Sequence, residues 1–200
     1  MNTTMAQTST TLISSKSHLT SITGTDISFT ATSGIYTIKT TSTTLTGSGR
    51  LAVGDLITVT GTTSNNSTFT VNTVVSTTEI TVSEVVTSEN SDGSTSVTLD
   101  HVGFVSDKAK GDGYYSQPDG LHTVAYQVTT SFNANATIKM QGTLATTPTE
   151  DDWFDISGTT FTSDTSTVTS SANFTGNYVW VRSKTQLLTA GTVNSILLNS

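Results

Sequence analysis

Residues 51–85 read LAVGDLITVTGTTSNNSTFTVNTVVSTTEITVSEV, and this stretch decides the fold class. Leu56-Ile57-Thr58-Val59, Phe69-Thr70-Val71 and Glu79-Ile80-Thr81-Val82 are three short runs rich in β-branched and aromatic residues, patterned as strands with a buried face. Gly61-Thr62-Thr63-Ser64-Asn65-Asn66 and Ser76-Thr77-Thr78 separate them. Asn and Gly tolerate the positive φ that tight hairpins demand. Punctuation at this rhythm predicts a small antiparallel barrel or sandwich.

The same rhythm extends both ways. Upstream, Ile35, Thr37 and Lys39 alternate with Tyr36, Ile38 and Thr40, between Gly34 and Gly47-Ser48-Gly49. Downstream, the turn Asn90-Ser91-Asp92-Gly93-Ser94 leads into Ser96-Val97-Thr98-Leu99. Residues 26–105 therefore form the first β domain, a small barrel or sandwich. Residues 106–120 read as a connector, with Lys108, Lys110, several glycines and Pro118. Residues 121–200 form a second domain, expected as a jelly-roll-like β-sandwich. Its strands are Leu121 to Val128, a run carrying Ile138, Met140 and Leu144 on one face, Trp153 to Ile156, Tyr178 to Arg182, and Thr192 to Asn199. Pro148 falls between strands, where its missing N–H costs no ladder bond. Only residues 149–153 hint at a helical turn, with Thr149 as N-cap. Residues 1–25 are polar, without helical period, and read as an extended N-terminal arm ordered against a partner. Leu12, Ile13 and Leu19 are its candidate contact residues. The fold class is thus all-β: two small antiparallel domains behind an extended arm.

Composition sharpens this. Hydrophobic residues make up 33% and charged residues 12% of 200, while Ser and Thr fill more than a third. A disordered chain would be rich in net charge as well as poor in apolar residues. Thr suits the solvent face of a strand. The net charge of −7, with eight Lys plus Arg, argues against nucleic acid as a partner. There is no cysteine, which excludes disulfides and thiolate-bound zinc. No apolar run approaches the roughly 20 residues of a membrane-spanning helix, and no membrane partner is expected. The first eleven residues lack a basic and an apolar region, so no signal peptide is expected.

Four segments carry a resemblance. They are VGDLITVTGTTSNNSTFTVNTVVSTTEITVSE at 53–84, GYYSQPDGLHTVAYQVT at 113–129, TIKMQGTLATTPTEDDWFDI at 137–156 and FTGNYVWVRSKTQLLTAGTVNSILLN at 174–199. The first resembles a small β module of phage tail and accessory proteins. The other three are similar to segments of virion structural proteins of marine phages, especially those infecting cyanobacteria. The resemblance implies a non-enzymatic component of the virion, assembled in the bacterial cytoplasm and normally homo-oligomeric. Capsid decoration or cement is the first expectation, with other virion proteins as partners. The alternative is a tail, neck or fibre component that binds host glycan.

Residues with chemistry do not converge. His18, His101 and His122 lie far apart, with no HxH, HxxxH or HExxH spacing for zinc. Glu150-Asp151-Asp152 with Asp155 is the densest acidic run, but it lacks the alternating pattern of a calcium loop. An acidic start to a helical turn accounts for it. Asp107, Asp112 and Asp119 among glycines read as turn chemistry. No G-x-S-x-G elbow or Walker-type lysine is present, and no serine has a base assigned to activate it. No catalytic residue, metal site or cofactor is expected. Tyr114, Tyr115, Tyr126, Trp153, Tyr178 and Trp180 include residues able to stack on sugars. Tyr126, Tyr178 and Trp180 lie in strands and are expected to fill the core. Tyr114 and Tyr115, on the connector, are the pair expected at the surface or an interface.

Overall fold

The computed structural model describes residues 9–115, 120–163 and 168–199, and nearly all of its regular structure is strand. In chain order come β1 (Ser9–Ile13), β2 (Lys16–Ser17), β3 (Ile22–Gly24), β4 (Ser28–Thr32), β5 (Ile35–Lys39), β6 (Asp55–Thr60), β7 (Thr68–Ser76), β8 (Glu79–Val82) and β9 (Val97–Val105). There follow β10 (Ala109–Lys110), β11 (Leu121–Val128), β12 (Thr137–Thr143), β13 (Phe154–Asp155), β14 (Phe161–Thr162), β15 (Thr169–Thr175), β16 (Trp180–Gln186) and β17 (Thr192–Asn199). Single 3-10 turns lie at Asp112–Tyr115 and Glu150–Asp152. Among the described residues no helix is long and apolar enough to cross a membrane.

The chain divides into two compact units: His18–Val105, and Met1–Ser17 together with Ser106–Ser200. The first is thus an insertion in the sequence of the second, after β2.

In the inserted unit the strand order is β3-β9-β6-β7-β8-β5-β4. Its end strands, β3 and β4, are separated only by Thr25, Asp26 and Ile27. A link that short spans about 10 Å, so the antiparallel sheet must roll to bring its ends together. Strand β7 supplies the bend. Its start pairs with β6 and the remainder with β8, with irregularities between Val71 and Thr73 and between Val74 and Ser76. Bulges of this kind increase local twist. The alternation read from sequence fills the inside: Ile38, Ile57, Val59 and Ile80 are fully enclosed, with Phe29 and Phe69 beside them. Carboxylates fasten the loops. Asp26 Oδ2 accepts the N–H groups of Thr41, Ser42 and Thr43 at 3.0, 2.7 and 3.0 Å, and Oδ1 accepts the Thr43 hydroxyl at 2.6 Å. The Thr43 hydroxyl and amide, then Ser42, hold the Asp26 carboxyl far below its usual range. Glu89 likewise accepts the N–H groups of Thr63 and Ser64 at 2.7 and 3.0 Å. Gly61 has φ of 86°, and a Cβ there would stand 2.3 Å from the Ser96 carbonyl oxygen.

The second unit is a sandwich. One sheet has the order β1-β17-β11-β15, with β2 also on β17. The other runs β13-β12-β16-β10, with β14 also on β12. In chain order the strands alternate sheets as β1, then β10, β11, then β12 with β13 and β14, then β15, β16 and β17. That is the antiparallel connectivity of a jelly roll, as the sequence reading expects. Val124, Tyr126 and Val128 from β11 and Val193, Ile196 and Leu198 from β17 line one inner face. Ile138 and Met140 from β12 and Val181 from β16 line the other. Tyr126 ties the two: its ring stacks 5.7 Å from Phe161, and its hydroxyl donates to the Thr159 carbonyl at 2.6 Å. Burial pushes the Tyr126 phenol well above its usual range.

Parts of the segments read as arm and connector are paired strands. Residues 1–8 lie outside the described residues. Ser9–Ile13 pairs antiparallel with β17, Lys16–Ser17 follows on the same strand, and Ile22–Gly24 pairs with β9. Leu12 and Ile13 are half-buried in β1, and Leu19 packs against the core of the inserted unit. In the connector, Ala109–Lys110 pairs with Val181 and Trp180. Polar side chains hid these strands, whose pairing is made by backbone groups that carry no sequence signature.

Candidate interaction site

The connector is held to the jelly roll by main-chain bonds at two glycines. Gly111 N–H donates to the Val179 carbonyl at 3.1 Å and Gly113 N–H to the Tyr178 carbonyl at 2.8 Å. A Cβ at either would stand 2.4 or 2.7 Å from a carbonyl oxygen of Tyr178 or Asn177. Glycine therefore permits the approach. Asp112 secures the turn beyond them. Its Oδ2 accepts the Gly120 N–H at 2.6 Å and lies 3.2 Å from His122 Nε2, whose ring stacks on Phe174.

This anchoring sets the Asp112–Tyr115 turn beside β16. The Tyr114 ring lies 4.8 Å from the Trp180 ring and 5.1 Å from Tyr115, edge-on to the latter. Lys110 is the register partner of Trp180, and its ammonium lies 4.2 Å from the Tyr114 ring centre and 5.5 Å from that of Tyr115. The Lys108 ammonium stands 4.4 Å over Trp180. Trp180 Nε1–H donates to the Thr146 carbonyl at 3.0 Å, which fixes the indole. Tyr114 and Tyr115 remain 42% and 56% exposed. A shelf of three rings and two cations results.

The shelf continues along the outside of β12 and β16. Register puts Thr143 opposite Trp180, Gln141 opposite Arg182 and Lys139 opposite Lys184. Arg182 donates to both Glu150 carboxylate oxygens at 2.8 and 2.7 Å and to Gln141 at 3.0 Å, and its guanidinium lies 4.2 Å from the Trp153 ring. Asp155 pairs with Lys139 and accepts from Gln141 at 2.9 Å. Burial raises the Asp155 carboxyl, but the bonds from Lys139 and Gln141 outweigh it and the net shift is down. Burial, then the neighbouring Arg182 charge, lowers Lys184. Both tryptophans and five of the eight basic residues of the chain therefore belong to this face and its shelf.

No family model matches the chain, and no curated protein matches it. The site is accordingly read from its own residues.

The acidic run is consumed internally. Glu150 serves Arg182, and Asp152 Oδ2 accepts the Thr149 N–H and hydroxyl at 2.7 and 2.8 Å in the expected N-cap turn. Among the described residues no three His, Cys, Asp or Glu side chains are placed to hold a metal ion. Asp119 lies outside the described residues. The histidines do acquire carboxylate neighbours that spacing did not reveal. His101 Nε2 lies 3.5 Å from Asp55 Oδ1, while its Nδ1 accepts the Leu19 N–H at 3.2 Å. Both side chains are enclosed, and both ring nitrogens of His101 face protein groups.

Of the six aromatics read as a stacking set, the structure joins Tyr114, Tyr115 and Trp180. Trp153 lies farther along on Arg182. Tyr126 is core, and Tyr178 covers glycines: a Cβ at Gly142 or Gly176 would stand 2.6 or 2.4 Å from its ring. Leu12 and Ile13 lie on β1, and Leu19 belongs to the other unit.

Sequence reading missed β15 altogether. Its sequence, TSSANFT, offers no alternation of large apolar residues. It pairs with β11 over seven consecutive positions without a bulge and closes the β1-β17-β11-β15 sheet on one side. It has no proline and no charged residue. The opposite edge is different: β1 carries an irregularity between Thr11 and Ile13.

Proposed function

We propose that this protein is a non-enzymatic virion structural protein of a bacteriophage, a capsid decoration or cement protein or a related accessory, that docks through the edge of β15, which no other strand among the described residues pairs. That edge is the observation that carries the reading. Soluble proteins guard sheet edges with bulges, prolines or charge. Strand β1 has such a guard and β15 has none of them. A neighbour's extended segment added there bonds to main-chain groups and asks for no special side chains. This suits a chain more than a third Ser and Thr. The jelly-roll connectivity is one that viral capsid domains and lectins share, and the quoted segments resemble phage particle proteins.

The test is incorporation. Thr169→Lys with Ser171→Lys puts charge on two exposed positions of β15. Particles assembled with this variant are expected to lose the protein, measured by quantitative mass spectrometry, while its circular-dichroism spectrum stays that of the parent. Normal occupancy of the folded variant overturns the reading.

A further inference from the structure

We propose that the shelf formed by Tyr114, Tyr115 and Trp180, with the ammonium groups of Lys108 and Lys110, is a binding site for an acidic carbohydrate, one whose sugar rings bear carboxylates. This goes beyond docking on the particle and stands or fails separately from it.

Three observations carry it. First, the two tyrosine rings are presented to solvent. A tyrosine that served only to fill space would be covered, yet Tyr114 and Tyr115 are 42% and 56% exposed. Aromatic faces next to polar groups suit the half-apolar face of a sugar ring. Second, the shelf is built before any ligand arrives. The Trp180 indole is fixed by Thr146, Lys110 is in ladder register with Trp180, and the turn is clamped through Gly111, Gly113 and Asp112. Rigid groups lose less freedom on binding. Third, the charge is specific. Neither Lys108 nor Lys110 is within 4 Å of a carboxylate among the described residues, whereas Lys39, Lys139 and Arg182 each have one. Each ammonium spends only its contact with a ring face and keeps donors for a ligand.

Charge also separates the ligand classes. The chain as a whole carries −7. At physiological salt, fields fade over about 8 Å, so a short glycan feels mainly the two local cations. A nucleic acid strand, with its dense line of phosphates, also meets the acidic remainder of the surface. A neutral glycan leaves the two ammonium groups without a matching charge. A short acidic oligosaccharide, with its sugar ring on Tyr115 and its carboxylate at Lys110, matches both the rings and the local charge.

The full chain is titrated by calorimetry with an oligogalacturonate, with an uncharged gluco-oligosaccharide of equal length, and with single-stranded DNA of equal charge. Saturable binding of the oligogalacturonate alone is expected, weakened by salt. Tyr115→Ala and Lys110→Met should each weaken it about tenfold, the effect of losing one stacking or one charge contact. Both positions are peripheral to the core, and unchanged melting temperatures confirm that the variants are folded. Absence of oligogalacturonate binding at millimolar concentration overturns the proposal. So does binding that survives both substitutions, or tighter binding of either other ligand.

Discussion

The two units differ in what most of their charged groups meet. In the inserted roll, Asp26 and Glu89 turn towards neighbouring loop amides and hydroxyls, and Glu84 accepts from the amide and hydroxyl of Thr70 on β7. In the jelly roll, Arg182, Lys139, Lys108 and Lys110 meet carboxylates and rings on the outside of a sheet. The roll's core is mainly Ile, Leu and Val around Phe29, Phe69 and Phe104, and Asp26 and Glu89 hold its loops at the surface. The sandwich packs Tyr126, Phe161 and Phe174 in its core and sets charged and aromatic side chains together on the outside of β12 and β16. A carboxylate that fastens a turn and one that pairs with a cation therefore look alike in the sequence and differ only in what the fold places opposite them.

The largest expected effect tests the roll's core. Phe69→Ala removes an enclosed ring and should cost about 3–5 kcal/mol, read as lost amide protection across His18–Val105. A loss under 1 kcal/mol would mean that the loops, not the core, hold the roll. Next comes Arg182→Ala, which strips Glu150, Gln141 and Trp153 of a shared partner. The Arg182 side chain is 5% exposed and Glu150 27%, so breaking the pair should cost about 3 kcal/mol in denaturant titration. If it costs no more than a surface pair, the outer face is decoration on the jelly roll and not part of its structure.

A third test concerns Asp26. Its carboxyl is depressed from the ordinary 3.8 by the bonds from Thr43 and Ser42. A depressed folded pKa gives stability that is fully present above the unfolded value and is lost as pH falls below it. The roll should therefore weaken as pH drops below about 4, while Asp26→Asn should flatten that dependence. At neutral pH the substitution should cost about 1–2 kcal/mol, held down by the residue's partial exposure. An unchanged pH profile in the variant would show that other carboxylates set the acid limit.

How far these contrasts were legible depends on what each residue reports. Leu121–Val128 and Thr192–Asn199 appear in the sequence with their bounds, because alternation records which face is buried. Strand β15 does not, because an edge strand of Ser and Thr buries almost nothing that periodicity can register. On the connector, Tyr114 and Tyr115 are legible as a pair for the surface or an interface, because no strand claims them. Sequence places their companion Trp180 in the core, since strand membership says nothing about which face a side chain takes until the neighbouring strands are known. The pairing of His101 with Asp55 and of His122 with Asp112 was invisible because it joins residues far apart or on either side of a turn. Spacing motifs detect chemistry only when one local element carries it.

The smallest expected effect closes the comparison. Lys39 and Glu79 are register partners on β5 and β8, 3.2 Å apart at their charged atoms. They form an ion pair, as Arg182 and Glu150 do, yet the Lys39 side chain is 57% exposed. Water solvates both ions nearly as well apart as together, and holding a long lysine still costs rotamer entropy. Lys39→Ala should shift stability by less than about 0.5 kcal/mol, and added salt should erase the shift. If it instead approached the Arg182 value, exposure would not be what separates the two pairs. The contrast between the roll's exposed pair and the jelly roll's enclosed one would then have to rest on bond geometry alone.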